Sequence, residues 1–234
     1  VKPHEADVFI LAVPTPFKGD KEPDLSFVES ATREIAPYVK EGNLIILEST
    51  SPVGTTEKVR DWLYDERMDL VGKSVYFAHC PERVLPGKIV EELPHNDRII
   101  GGIDEESTKK TIEFYSRFVT GALLPTDART AEMAKLTENS FRDVNIAFAN
   151  ELSIICDKLG IDVWELIRLA NRHPRVNILQ PGPGVGGHCI AVDPWFIVDS
   201  APRDARLIRV AREVNDSKPH VVMEKVYEAV RTTE

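Results

Sequence analysis

NLIILESTSPVGTTEKVRDWLYDERM, residues 43 to 68, decides the fold. Asn43–Glu48 is a short apolar, β-branched run of strand length, and Pro52–Met68 has helical length with Pro52 placed in its first turn. Between them lies a polar turn, Ser49, Thr50 and Ser51, followed by Gly54. The same pattern repeats outward from this unit. Asp7–Val13, Ser74–His79 and Arg98–Gly101 read as further buried strands, while Asp24–Val39 and Asp104–Phe118 read as helices capped by Asp24 and Asp104. Strand, helix, strand in this order predicts a mostly parallel sheet with helices on its faces.

The second half changes character. No proline occurs from about Asp127 to Gly160, and Ala131, Ala134, Phe141, Val144, Phe148, Leu152 and Ile155 recur at three- and four-residue spacings. They predict one long buried helix ended by Gly160, followed by a shorter helix over Val163–Ala170. Residues 171 to 187 form a loop rich in Pro, Gly, Asn and Arg, and Arg203–Ser217 is again helical until Pro219 interrupts it. The fold class expected is therefore α/β followed by α, with domains over residues 1–126 and 127–234.

At 234 residues the chain buries a full core, and its 42% hydrophobic and 29% charged content is that of an ordinary soluble protein. A net charge of -9 argues against a nucleic-acid or acidic-membrane partner and leaves small molecules as the expected ligands. No apolar run of membrane-spanning length and no leader is present, so the expected compartment is the cytoplasm. Cys80, Cys156 and Cys189 are odd in number and lack C-x-x-C spacing, which weakens a disulfide framework and a metal site alike.

QPGPGVGGHC, residues 180 to 189, has the G-x-G-x-x-G spacing of a dinucleotide turn in Gly182, Gly184 and Gly187. Such a turn needs a strand before it and a helix straight after it, whose N-terminus receives the pyrophosphate. Here a polar, proline-broken segment precedes, and Pro194 stands where a helix would have to run on. Two readings remain: a flexible surface loop, or a backbone that approaches a ligand closely beside Cys189, a candidate nucleophile. Lys135, Asn139 and Arg142 fall on one stripe of the long helix and read either as a solvated face or as the lining of an anion-holding cleft. AVPTP (12–16), ESTSPVGTT (48–56) and HCPERVLPG (79–87) stand at strand ends. Ligands bind outside the carboxyl ends of parallel strands, so Thr15, Ser49, Thr50, Ser51, Glu82 and Arg83 are site candidates as well as candidate turn residues.

AVPTPF, ESTSPVGTTE, HCPERVLPG, AEMAKLTENSFRDVNIAFANEL, NRHPRVNILQPGPGVGGHC and AVDPWF, in this order, resemble the nucleotide-sugar 6-dehydrogenases, the family of UDP-glucose and GDP-mannose dehydrogenases. The resemblance covers most of residues 7 to 199. It implies a two-fold NAD-dependent oxidation of a sugar C6 alcohol to a carboxylate, with UDP-N-acetyl-D-mannosamine as the substrate of the most similar branch. Cys189 matches the catalytic thiol: its addition to the intermediate aldehyde gives a thiohemiacetal that can release a hydride, leaving a thioester for water to hydrolyse. Lys135 matches the residue of proton transfer or oxyanion stabilisation, Asn139 the amide that holds the sugar oxygen, Asp193 a carboxylate that supports base chemistry, and Glu82 an acid of the hydrolytic step. Thr15 and Thr50 match cofactor contacts. Arg83, Val84, Lys135, Asn139, Arg142, His173, Arg175 and Gly186 match substrate contacts, which makes the glycine loop a substrate loop.

Pro86 and His188 stand where the UDP-glucose branch has an acid and a serine, and both point away from UDP-glucose. The family's opening Gly-rich NAD turn and its closing UDP-binding domain have no counterpart, so the chain is expected to be the middle of such an enzyme and of doubtful activity alone. Arg203–Ser217 corresponds to the family's linking helix, and a homodimer is expected through it. A non-catalytic sugar-nucleotide-binding or dimerisation module is the alternative, and a metal site from His79, Cys80 and His188 a distant third.

Overall fold

In the computed structural model, which describes residues 3–19, 21–84, 87–187 and 189–231, the chain forms two compact units, Val1–Leu136 and Thr137–Glu234. The first holds strands β1 (Val8–Leu11), β2 (Phe17–Lys18) and β3 (Glu22–Pro23), helix α1 (Ser26–Ile35), β4 (Leu44–Leu47), α2 (Thr55–Glu66), β5 (Tyr76–His79), α3 (Ile89–Glu92), β6 (Arg98–Gly102), α4 (Glu105–Tyr115) and β7 (Leu123–Asp127). Helix α5 (Ala128–Leu159) contains the division, and α6 (Val163–Ala170), α7 (Asp193–Ser200) and α8 (Arg206–Arg231) complete the second unit.

The main sheet has the order β1-β4-β5-β6-β7. Helices α1, α2 and α4 carry the chain back over the sheet, so β1–β4, β4–β5 and β6–β7 pair in parallel. Among its described residues the link from β5 to β6 holds only the short α3, and that pair is antiparallel. The expected mostly parallel sheet is therefore present with one reversal. In β4 every residue is buried: Ile45 and Leu47 pack with Phe9, Val28, Val59, Leu63 and Phe77 on one face, Leu44 and Ile46 with Ile100 and Tyr115 on the other. Burial on both faces is why this run is continuously apolar rather than alternating.

Local chemistry sets the helix starts. Asp104 accepts the Ser107 N–H at 2.7 Å as the cap of α4, and Asp24 accepts the Ser26 N–H at 3.0 Å at the start of α1. Helix α2 begins at Thr55, after Pro52, and its end is capped from a distance. The fully buried Glu132 of α5 accepts the N–H groups of Gly54 (2.5 Å) and Thr56 (2.7 Å) and the Thr56 hydroxyl (2.6 Å). A carboxylate there also meets the positive end of the helix dipole. In β6, a side chain on Gly101 would come within 2.2 Å of the Asp127 carbonyl oxygen, so glycine lets β6 lie against the β7–α5 junction.

In the second unit, α6 and the end of α5 at Gly160 (φ 65°) match expectation. Two expectations are corrected. Helix α5 is buried along only part of its apolar stripe: Ala131 is buried and Ala134, Val144 and Leu152 half-buried, but Phe141, Phe148 and Ile155 are 69%, 52% and 44% exposed. Its buried face is mixed instead, with Asn139, Ser140, Asp143 and Asn150 among Leu136, Ala147, Ala149 and Cys156. Nor does Pro219 end the last helix; α8 runs through it to Arg231. A proline costs one backbone hydrogen bond, and buried side-chain bonds from Arg212, Asn215 and Lys218 in the turns just before it hold the helix in place.

Replacing Glu132 with alanine removes the acceptor for three buried donors and is expected to lower unfolding free energy by about 3 kcal/mol, measured by urea denaturation. His79 is fully buried, and desolvation holds its pKa down at about 3. The unfolded chain therefore binds a proton below its ordinary value near 6.5 that the folded chain refuses, so stability falls as pH drops from 6.5. A fall of up to about 1.4 kcal/mol per pH unit between pH 6.5 and 5 is expected, and His79→Leu should flatten it.

Candidate active site

In the first unit the turns after β1 and β4 are stitched together at the carboxyl ends of the strands. Ser49 Oγ accepts the Val13 N–H at 2.8 Å and donates to the Val13 carbonyl at 2.7 Å, while Thr15 Oγ1 donates to the Thr50 carbonyl at 2.6 Å. Ser51 donates to the Ser49 carbonyl at 2.8 Å. Of these strand-end residues Ser49 and Ser51 are buried and serve the backbone, whereas Thr15 and Thr50 are half-buried at the rim. Such a rim, polar at the carboxyl end of parallel strands, suits a dinucleotide.

After β5, Glu82 Oε1 accepts the N–H groups of Arg83 (2.7 Å) and Val84 (2.9 Å), which fixes the direction of its carboxylate. Its Oε2 lies 3.5 Å from Arg98 Nη2. Arg98 was not singled out by sequence reasoning, yet it organises this corner: it is 3% exposed, lies 3.9 Å from Glu48, and stacks 4.9 Å from the centre of the Tyr115 ring. Tyr115 in turn donates to Glu48. Burial pushes the Glu48 carboxyl up and the Cys80 thiol to about 11. A charge opening an otherwise apolar strand, RIIGG, was the available signal. His79 and Cys80 pack on opposite faces of the sheet, and His188 and Pro86 lie outside the described residues. Among the described residues no His, Cys, Asp and Glu group has metal-binding geometry.

In the second unit Asn139 and Asp193, 5% and 4% exposed, meet directly: Asn139 Nδ2 donates to Asp193 Oδ2 at 2.5 Å. Cys189 is exposed and stands at the start of the turn that opens α7, its carbonyl accepting the N–H groups of Val192 (3.0 Å) and Asp193 (2.9 Å). A helix thus follows the glycine cluster, but it begins only at Asp193, with Pro194 in its first turn. Gly184 and Gly187 have φ of 139° and 89°, values that glycine adopts without strain. Gly186 is exposed, with open space where a side chain would stand.

Asn171 closes the preceding loop by bonding both the N–H (2.7 Å) and the carbonyl (2.9 Å) of Ile178, which leaves His173 and Arg175 exposed on the bend between them. Along α5 the predicted stripe is uneven: Lys135 is half-buried, Asn139 buried and Arg142 exposed. Asn150 and Asn215, each among the most buried polar residues, were missed by sequence reasoning.

Residues 1–119 match the NAD binding domain of the UDP-glucose/GDP-mannose dehydrogenase family, and residues 129–217 match its central domain. An NDP-N-acetyl-D-galactosaminuronic acid dehydrogenase of Ralstonia nicotianae is 62% identical over 98% of this chain and 56% of its own length. A UDP-N-acetyl-D-mannosamine dehydrogenase of Escherichia coli is 64% identical over 97% and 56%. The solved UDP-D-ManNAc dehydrogenase of Pyrococcus horikoshii superposes with a TM-score of 0.92 at 46% identity, covering 98% of this chain and 55% of that one. The chain spans about half the length of the curated relatives it matches.

Asn139→Ala leaves the buried Asp193 carboxylate without its amide donor and is expected to cost about 2 kcal/mol of stability by thermal denaturation. Asn139→Asp should cost more, because two carboxylates would then meet at this distance.

Proposed function

The chain belongs to the UDP-glucose/GDP-mannose dehydrogenase family, and on that premise we propose that it carries catalytic residues of a UDP-N-acetyl-D-mannosamine 6-dehydrogenase, a cytoplasmic enzyme that oxidises the C6 alcohol to the carboxylate in two steps. One observation carries the reading: a single turn presents the exposed Cys189 thiol and begins the helix whose first residue, Asp193, is held by Asn139. A nucleophile and a buried carboxylate with a fixed partner are what a thiol-dependent aldehyde oxidation requires. Residues 1–126 form the cofactor-binding part and 127–234 the central part.

Bound NAD+ supplies the hydride acceptor, once for each oxidation. Thr15 and Thr50, at the strand-end rim, contact the cofactor. Lys135 stabilises the oxyanion and takes part in proton transfer, and Asn139 holds the reacting oxygen while its other contact fixes Asp193. The Cys189 thiolate adds to the aldehyde carbon, and loss of hydride from that carbon leaves a thioester. Glu82, its direction set by the Arg83 and Val84 amides, serves the water that hydrolyses the thioester and frees the thiol. Arg83, Val84, Arg142, His173, Arg175 and Gly186 hold the sugar nucleotide, the exposed Arg142 of α5 and Arg175 of the loop after α6 suiting a diphosphate.

The protein acts as a homodimer. Phe141, Phe148 and Ile155 repeat every seven residues on the outer side of α5, and Val226, Tyr227 and Val230 are exposed on α8, an apolar surface of the kind a second copy covers. No helix among the described residues is long and apolar enough to cross a membrane.

The test is NAD+ reduction by the full-length gene product with UDP-N-acetyl-D-mannosamine, and with the N-acetylgalactosamine and glucose counterparts for comparison. Two NADH per sugar are expected with the first substrate, and Cys189→Ala should lower acid formation by at least about a thousandfold. Acid formation undiminished in that variant would reject the thioester step; preference for either counterpart would reassign the substrate.

A further inference from the structure

The loop that leads to Cys189 is tied to the helices of its unit by a chain of buried side-chain amides. Gly182 N–H donates to Asn150 Oδ1 at 2.9 Å, Asn150 Nδ2 donates to Asn215 Oδ1 at 2.8 Å, and Asn215 Nδ2 donates to Asp143 Oδ1 at 2.8 Å and to the Asp143 carbonyl at 3.0 Å. Asp143 is paired with Arg212 at 2.5 Å, and neither side chain has any exposure. Asn150 and Asn215 are 0% and 1% exposed.

The direction of every bond in this chain is determined. A carboxylate can only accept, so Asn215 must turn its NH2 towards Asp143 and its oxygen towards Asn150. Asn150 must then turn its NH2 towards Asn215, which leaves its oxygen for Gly182. One ionised group, Asp143, thereby orients two amides and creates an acceptor for a backbone N–H of the loop. A second contact lies two residues on. Pro219 lacks an N–H and leaves the Asn215 carbonyl without its helical partner; Gly184 sits against this notch, where a Cβ would stand 3.0 Å from Pro219 Cγ. Helix α5 therefore holds the loop at Gly182 through Asn150, and α8 holds it at Gly184, with Asn215 of α8 ordering Asn150 and standing one turn from Pro219.

We infer that Asn150 and Asn215 are positioning residues for Cys189: through the bond to Gly182 they fix the register of residues 182–187 and so the place of the thiol that follows. The inference rests on the proposed role of Cys189 but is tested apart from it.

Amide hydrogen exchange at Gly182, resolved by NMR in this chain, measures the anchor directly. Asn150→Ala should speed exchange there at least tenfold while the sheet amides keep their rates. Asn215→Asp sets a second carboxylate against Asp143 and should do the same. Asn150→Leu keeps the bulk of the side chain but offers no acceptor, and should exchange at Gly182 as fast as Asn150→Ala; a role in packing alone predicts recovery in the leucine variant. In the full-length gene product Asn150→Ala and Asn215→Asp should each lower kcat about tenfold with KM for NAD+ unchanged. Exchange at Gly182 unaltered in Asn150→Ala, or restored to its original rate in Asn150→Leu, would overturn the relay. Faster exchange with unchanged kcat would overturn the positioning role even if Cys189 proves essential, whereas an active Cys189→Ala enzyme would reject the thioester reading and leave the relay standing.

Discussion

Asp143 and Arg212 face each other with no access to water, and the second unit is organised around that pair. Two charges taken out of solvent gain little net stability from each other, but removal of either leaves the other uncompensated, at a cost of about 3–5 kcal/mol. Burial raises the Asp143 carboxyl while Arg212 pulls it back, so the pair keeps its charge only as a pair. What it contributes is register. Helices α5 and α8 could slide past one another on an apolar seam with modest loss, whereas a buried ion pair flanked by Asn150–Asn215 and by Lys218–Ser153 admits one alignment.

That same choice explains where the apolar residues of α5 went. With its inner face given to Asn139, Ser140, Asp143 and Asn150, the helix turns Phe141, Phe148 and Ile155 outward. Apolar periodicity in the sequence locates a helix and its apolar side, but it does not say whether that side meets the same chain or another surface. The polar residues at 139, 143 and 150, four and seven apart, are the counter-signal: a second stripe, made of small amides and carboxylates, marks the interior here.

The sheet was the most legible part, since β4, β5 and β6 are apolar runs buried on both sides and bounded by turn residues. β7 escaped notice because LLPTD is short, half polar and carries a proline, as an edge strand tolerates. The antiparallel return of β6 was also hidden, because strand composition does not encode direction. In the site, Cys189, Asp193 and Asn139 stood out through their motifs. Glu132, Arg98, Asn150 and Asn215 did not: each is an ordinary polar residue until a distant partner, 76 positions away in the pair Thr56–Glu132, removes it from water.

The three cysteines differ in one further respect that follows from burial. Cys80 is sealed behind Arg98 and Tyr115 with its thiol held protonated to about pH 11, Cys156 is buried on α5, and Cys189 stands exposed. A folded molecule therefore offers one thiol to an electrophile in neutral solution. A fluorophore or spin label introduced at residue 189 without altering any other position would sit at the end of the glycine loop and report its motion.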